Sequence, residues 1–287
     1  MVVFGISTPV VVQVPGGHSA WEEEAGPAEL ARVAATADRL GYHHLTCSEH
    51  VAVPAAVEAV RGVTYWDPLA TLSYLAAVTE RIRLATNVVV LGYHHPLALA
   101  KRYGTLDRLS GGRLILGLGV GSLVEEFELL GAPFEDRGAR ADDALVALRQ
   151  ALGQRQPAHQ GPYYRYADMV VEPHALSDRV PLWMGGRTRR SLERAARLAD
   201  GWTPFGLDAG GLAGLLEAVE RPAGFDVVLG FPAPVDPGGQ PEAALEAVAA
   251  VEALGATVVH VTVAHRSLEH YLEQLEAFSA LVGLPAA

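Results

Sequence analysis

Apolar β-branched runs alternate with stretches of helical apolar spacing along the whole chain, and this alternation constrains the fold more than any other feature. Strands separated by helices must run parallel, because each crossover carries a helix back over the sheet. Short strands are predicted at residues 2–7, 44–48, 81–90, 113–120, 181–184, 201–204, 225–229 and 257–263. Helical spacing follows at 28–41, 67–79, 96–109, 123–130, 140–152, 189–199, 212–219, 241–254 and 268–281. Asp67-Pro68 marks one helix start, with a capping carboxylate before a first-turn proline. Eight such units favour closure into a (β/α)₈ barrel over an open doubly wound sheet. The expectation is one domain over residues 1–287. Residues 153–180, between strands four and five, are too long for a plain loop and are expected to form an insertion with a short strand near 169–172.

The 287 residues are half hydrophobic, enough for a large core, and carry a formal net charge of −11. That charge opposes binding to duplex nucleic acid or to an anionic membrane surface. The single cysteine, Cys47, cannot form an internal disulfide, and its place in strand two reads as core. The N-terminal apolar stretch lacks a basic region before it and reads as a strand, so a cytoplasmic protein is expected.

Barrel enzymes place their chemistry at the C-terminal ends of the strands. Strand two ends in Ser48-Glu49-His50, where the histidine is either an acid/base group or a solvent-facing loop residue. Strand three ends in Thr86-Asn87-Val88, polar groups that either meet a ligand or satisfy each other. Strand four carries Gly117, Gly119 and Gly121 in register, and the side-chain-free face reads as room for a flat ligand. Strand five runs into Met184-Gly185-Gly186-Arg187-Thr188 and then at once into a helix, an arrangement suited to a phosphate. The Glu125-Glu126 pair is assigned to a solvated helix face, and the aromatic segment 162–166 to packing of the insertion. No histidine spacing suits a metal, and none is expected.

The run 85–122, ATNVVVLGYHHPLALAKRYGTLDRLSGGRLILGLGVGS, closely resembles the luciferase-like family, and within it the branch that uses the deazaflavin coenzyme F420. Ser48-Glu49-His50, Glu126-Phe127, Arg137-Gly138-Ala139-Arg140, the run 181–186 and the run 195–202 keep the family's order. The resemblance spans most of residues 2–204. It implies a (β/α)₈ barrel with a flavin-type ring in its mouth and a non-prolyl cis peptide at Asn87-Val88. It implies a cofactor phosphate on Gly185-Gly186 and the residues after them. The cofactor-binding set it suggests is Thr86, Asn87, Val88, Gly119, Val120, Gly121, Met184, Gly185, Gly186, Arg187 and Thr188. His50 matches the strand-two histidine that some deazaflavin dehydrogenases hold near the reactive carbon. Two departures stand out: Ser122 replaces a glutamate after the glycines, and Pro54 replaces a tryptophan four residues after the histidine.

The resemblance therefore implies an oxidoreductase that transfers hydride between coenzyme F420 and a small organic substrate, as a reductase with His50 or water as proton source. The alternatives are an FMN-dependent monooxygenase and a non-catalytic flavin-binding barrel. An aldolase lacks support, because the single lysine, Lys101, falls in a helix. The acidic deazaflavin tail needs local cations in an acidic protein, with Arg187 and Lys101 as candidates. A small-molecule substrate is the expected partner, and the sequence allows a homodimer without requiring one.

Overall fold

The computed structural model describes residues 2–177 and 179–285. Eight strands close a parallel barrel: β1 (Val3–Ile6), β2 (His44–Cys47), β3 (Arg83–Thr86), β4 (Leu114–Gly119), β5 (Leu182–Gly185), β6 (Gly201–Thr203), β7 (Asp226–Gly230) and β8 (Val258–Val261). Each pairs with its sequence neighbour, and β8 closes on β1 through Val3↔Val258 to Ile6↔Val261. The helices that return the chain are α1 (Pro27–Arg39), α2 (Pro68–Ala77), α3 (Pro96–Leu109), α4 (Arg137–Leu152), α5 (Arg189–Leu198), α6 (Ala209–Ala218), α7 (Pro241–Ala253) and α8 (Leu268–Val282). The (β/α)₈ architecture expected from the alternation is the one observed.

Side chains alternate between the two faces of each strand, so the barrel has two cores. Leu45, Leu84, Leu116, Leu182 and Val259 belong to the apolar layer shared with the helices. Ala85, Ile115, Trp183, Val228 and Val258 form the inner cluster. Against it the His44 ring lies 5.2 Å from Trp183 and 4.9 Å from His260, centroid to centroid. Position 5 of β1 must be glycine, since a Cβ there would stand 2.2 Å from the His44 ring.

Polar side chains fix the connections. Asp67 caps α2 by accepting from Ala70 N at 2.8 Å. Asp38, at the end of α1, accepts the amides of Glu80, Arg81 and Ile82 and so ties α1 to the entry of β3. Burial opposes ionisation of Asp38, but the three amides outweigh it and hold its pKa below the ordinary value.

The insertion differs from expectation. Its strands are His159–Gln160 and Arg165–Tyr166, paired antiparallel, and residues 169–172 form none. Asp143 of α4 causes this, accepting from Tyr163 N, Tyr164 N and His159 Nε2 within 2.9 Å and so fixing the hairpin turn. The apolar run at Met169-Val170 finds no partner strand and stays exposed. A second ribbon, Val12–Gln13 paired with Thr64–Tyr65, and two single-turn helices, Trp21–Glu24 and Glu58–Arg61, also went unanticipated.

Candidate active site

The strand-three end forms the hub of the barrel mouth. The Asn87-Val88 peptide is cis, as the family resemblance implied. Here β3 stops, and two residues, Val89–Val90, pair with β4 instead. The glycine face of β4 is not empty. A Cβ on Gly117 would stand 2.0 Å from the Thr86 carbonyl oxygen, and one on Gly119 would stand 2.7 Å from Val88 Cγ2. At Gly121, with φ +78°, it would meet Phe127 at 2.5 Å. Val88 also lies 3.2 Å from the Cβ position of Gly185. Gly119 and Gly185 thus form a seat for the Val88 side chain, while Gly117 and Gly121 make room for the Thr86 carbonyl and Phe127, so protein atoms fill most of the face read as room for a ligand.

The expected cofactor residues separate into two groups. Thr86 is fully buried and its hydroxyl donates to Gly117 O at 2.7 Å, while Met184 is fully buried in the outer core. Both brace the mouth from behind, as does Gly119. Val120, Gly121, Gly185, Gly186, Arg187 and Thr188 line one cleft of about 590 Å³. Asn87 lines a separate polar pocket on the other side of the hub, and its Oδ1 accepts from Thr203 Oγ1 at 3.3 Å.

The cleft is built on the N-terminus of α5. Thr188 caps the helix by accepting from Ser191 N, which leaves the amides of Arg189 and Arg190 without helical acceptors. Gly186, at φ +148°, lets the chain pass within 2.4 Å of Ser191 Cβ as measured from its own Cβ position, so only glycine fits. Arg137, Arg187, Arg190 and Arg194 line the cleft together with one carboxylate, Asp136. Asp136 is already paired with Arg140 at 2.8 Å, and Arg194 with Asp142. Among the described residues, Arg137, Arg187 and Arg190 form no ion pair. The helix N-terminus and guanidiniums without ion-pair partners give this cleft a local positive field within an acidic protein. Lys101 lies elsewhere, donating to Glu172 O at the insertion, so it adds nothing to the cleft.

His50 lines neither cavity, and the Tyr65 ring lies 4.5 Å from its own. Its Nδ1 donates to Glu126 Oε2 at 2.9 Å, leaving Nε2 as the free nitrogen. Glu126 is fully buried at its side chain, not solvated as its helical position suggested. Tyr93 OH donates to the same oxygen at 2.7 Å, and Val51 N donates to Oε1 at 2.5 Å. Burial would raise the Glu126 pKa, but these donors outweigh it and hold the carboxylate ionised. Glu49 forms a parallel pair with His94 Nε2 at 2.7 Å and accepts Val90 N. Cys47 is core as expected; burial pushes its thiol up to about 12.

The family model for luciferase-like monooxygenases matches residues 2–282. An uncharacterized protein of Mycobacterium tuberculosis is 31% identical over 215 residues, covering 70% of this chain and 75% of its own. The F420-dependent glucose-6-phosphate dehydrogenase of Intrasporangium calvum is 29% identical, over 65% of this chain and 56% of its own. Among solved structures, the monooxygenase RslO1 from Streptomyces bottropensis superposes with a TM-score of 0.76 at 23% identity, covering 98% of both chains.

Proposed function

The chain belongs to the luciferase-like monooxygenase family and is an oxidoreductase, and from that premise we propose that it is a reductase dependent on coenzyme F420. The observation that carries this reading is the arginine surplus of the cleft: Arg137, Arg187 and Arg190, without ion-pair partners among the described residues, line it with one carboxylate that is already paired elsewhere. FMN ends in one phosphate, whereas the deazaflavin tail carries further negative charge, and the surplus suits the longer anion. Gly185, Gly186 and the first amides of α5 would hold the phosphate. Val88 on its glycine seat would support the ring from behind.

When bound in reduced form, the deazaflavin supplies a hydride to a substrate carbon, and a proton must reach the neighbouring atom to balance the two electrons. In this reading His50, which lines neither cavity, passes that proton from Nε2 through a water and recovers one from solvent. Glu126 holds the ring through Nδ1 and compensates the charge of its protonated form. Ser122, which replaces an acidic residue, leaves no second carboxylate after the glycines to act as an opposing base, which favours reduction.

The test removes the charge. Arg187→Ala and Arg190→Ala are each expected to weaken deazaflavin binding about tenfold, near the worth of one charge-assisted hydrogen bond. The binding should also weaken steeply with salt. Unchanged affinity in the double variant would sink the assignment of the cleft.

A further inference from the structure

Resting on the reading above, we propose that the polar pocket between the ends of β1, β2 and β8 is the substrate site, and that it selects an uncharged carbonyl compound through donors from His265 and Tyr271. The pocket has a volume of about 270 Å³, and its lining includes Asn87 of the strand-three hub but no residue that lines the cofactor cleft. Its walls carry Ser7, Thr8, Thr46, Ser48 and Thr262, and none of its lining residues is a lysine or arginine. Its one carboxylate is Glu22.

Most of these polar groups are already satisfied. Thr8 and Thr46 exchange hydrogen bonds, each backbone amide donating to the other's hydroxyl, and Ser48 Oγ donates to Asn87 O. Glu22, 3% exposed, accepts Ser19 N on Oε1 and Val10 N on Oε2, both at 2.8 Å. The second bond holds Val10 at φ +74°, a costly conformation for a β-branched residue.

Two donors remain. Trp21 Nε1 donates to His265 Nδ1 at 2.9 Å. An indole nitrogen can only donate, so Nδ1 must accept and the neutral ring carries its proton on Nε2. That Nε2 stands 3.6 Å from Glu22 Oε1, beyond hydrogen-bond range. Burial, offset in part by Glu22, lowers the His265 pKa and favours this neutral form. The Tyr271 hydroxyl is the other donor. Tyr271 is 2% exposed, its ring lies 4.9 Å from His265, and its hydroxyl has no partner among the described residues.

The Tyr271 hydroxyl is buried without a partner, which costs about 1–3 kcal/mol, so a ligand that satisfies it is favoured by that difference. Two N–H or O–H donors without a cation suit a carbonyl oxygen. A phosphate or carboxylate would meet Glu22 with nothing to offset the repulsion. The substrate class thus departs from the sugar phosphate named in the dehydrogenase relative.

The experiment follows His265 directly by ¹⁵N-histidine NMR, with and without oxidised deazaflavin, so that no turnover occurs. Cyclohex-2-enone serves as the neutral probe and glucose 6-phosphate as the charged one. The free ring is expected as the Nε2–H tautomer, and Trp21→Phe should relax that preference. The enone should shift the Nε2 resonance saturably, and glucose 6-phosphate should not. His265→Ala and, separately, Tyr271→Phe should weaken the enone at least tenfold while leaving deazaflavin affinity within twofold. An unmoved Nε2 resonance with the enone, an equal response to glucose 6-phosphate, or unchanged enone affinity in both variants overturns the proposal. If the deazaflavin fails to bind while the enone still moves His265, the cofactor reading fails and the pocket assignment stands.

Discussion

His50 and Glu126 are 76 positions apart in sequence, yet one carboxylate orients the ring, a tyrosine hydroxyl and a backbone amide at once. His50→Ala is expected to lower turnover by about 10²–10⁴-fold, the usual worth of a positioned acid. Deazaflavin affinity should hardly change, because His50 does not line the cleft. A rate within a few fold of the parent would take His50 out of the proton path. His50 was legible in the sequence, because a histidine just past a barrel strand lies where such enzymes keep their chemistry. Glu126 was not. It sits in a six-residue helix, Val124–Leu129, whose length gives no dependable period, and its partners arrive from two distant loops. His265 and Glu22 were missed for the same reason, since only the closure of β8 on β1 brings them together.

Among the elements, β4 shows how a pattern can be read correctly and explained wrongly. Three glycines in register did mark a close approach, but the approaching atoms are the Thr86 carbonyl, Val88 and Phe127. Periodicity alone does not report that the neighbouring strand breaks at Asn87-Val88; only the family resemblance placed that break. Gly117→Ala puts a Cβ 2.0 Å from a backbone oxygen that has nowhere to go, and is expected to cost about 1–3 kcal/mol or more. Gly214→Ala in α6, where no atom lies within 4 Å and φ is ordinary, should instead be neutral or gain up to about 1 kcal/mol from helix propensity. Paired thermal melts check the contrast; equal Tm values for the two variants would contradict the close approach at Gly117. The strand boundaries and helix starts came through because capping and first-turn prolines act locally, as at Asp67-Pro68. The insertion did not, because Asp143 on another element decides its turn.

The whole molecule keeps three histidines inside or beneath the barrel. Burial, with Arg83 adding to it, pushes His43 down to about 4. Burial, with His43 adding to it, pushes His260 down to about 4 as well, and fully buried His44 lies well below its ordinary 6.5. Between pH 6.5 and 4 the unfolded chain therefore binds protons that the folded barrel refuses, so stability falls as pH falls through that window. Each histidine contributes roughly 1.4 kcal/mol per pH unit there. Urea melts from pH 7.5 to 5 should show this decline, with a shallower slope in His260→Leu; a flat profile over that range would count against buried neutral rings. No helix among the described residues is long and apolar enough to cross a membrane. An overall charge of −11 with four arginines lining one cleft gathers positive charge there, and the proposed function directs it at one anion. The most direct test of that central claim is a pair of fluorescence titrations, the purified protein against coenzyme F420 and against FMN at the same ionic strength. The account predicts saturable quenching of the deazaflavin at micromolar protein and little or no response from FMN; tighter binding of FMN would contradict it.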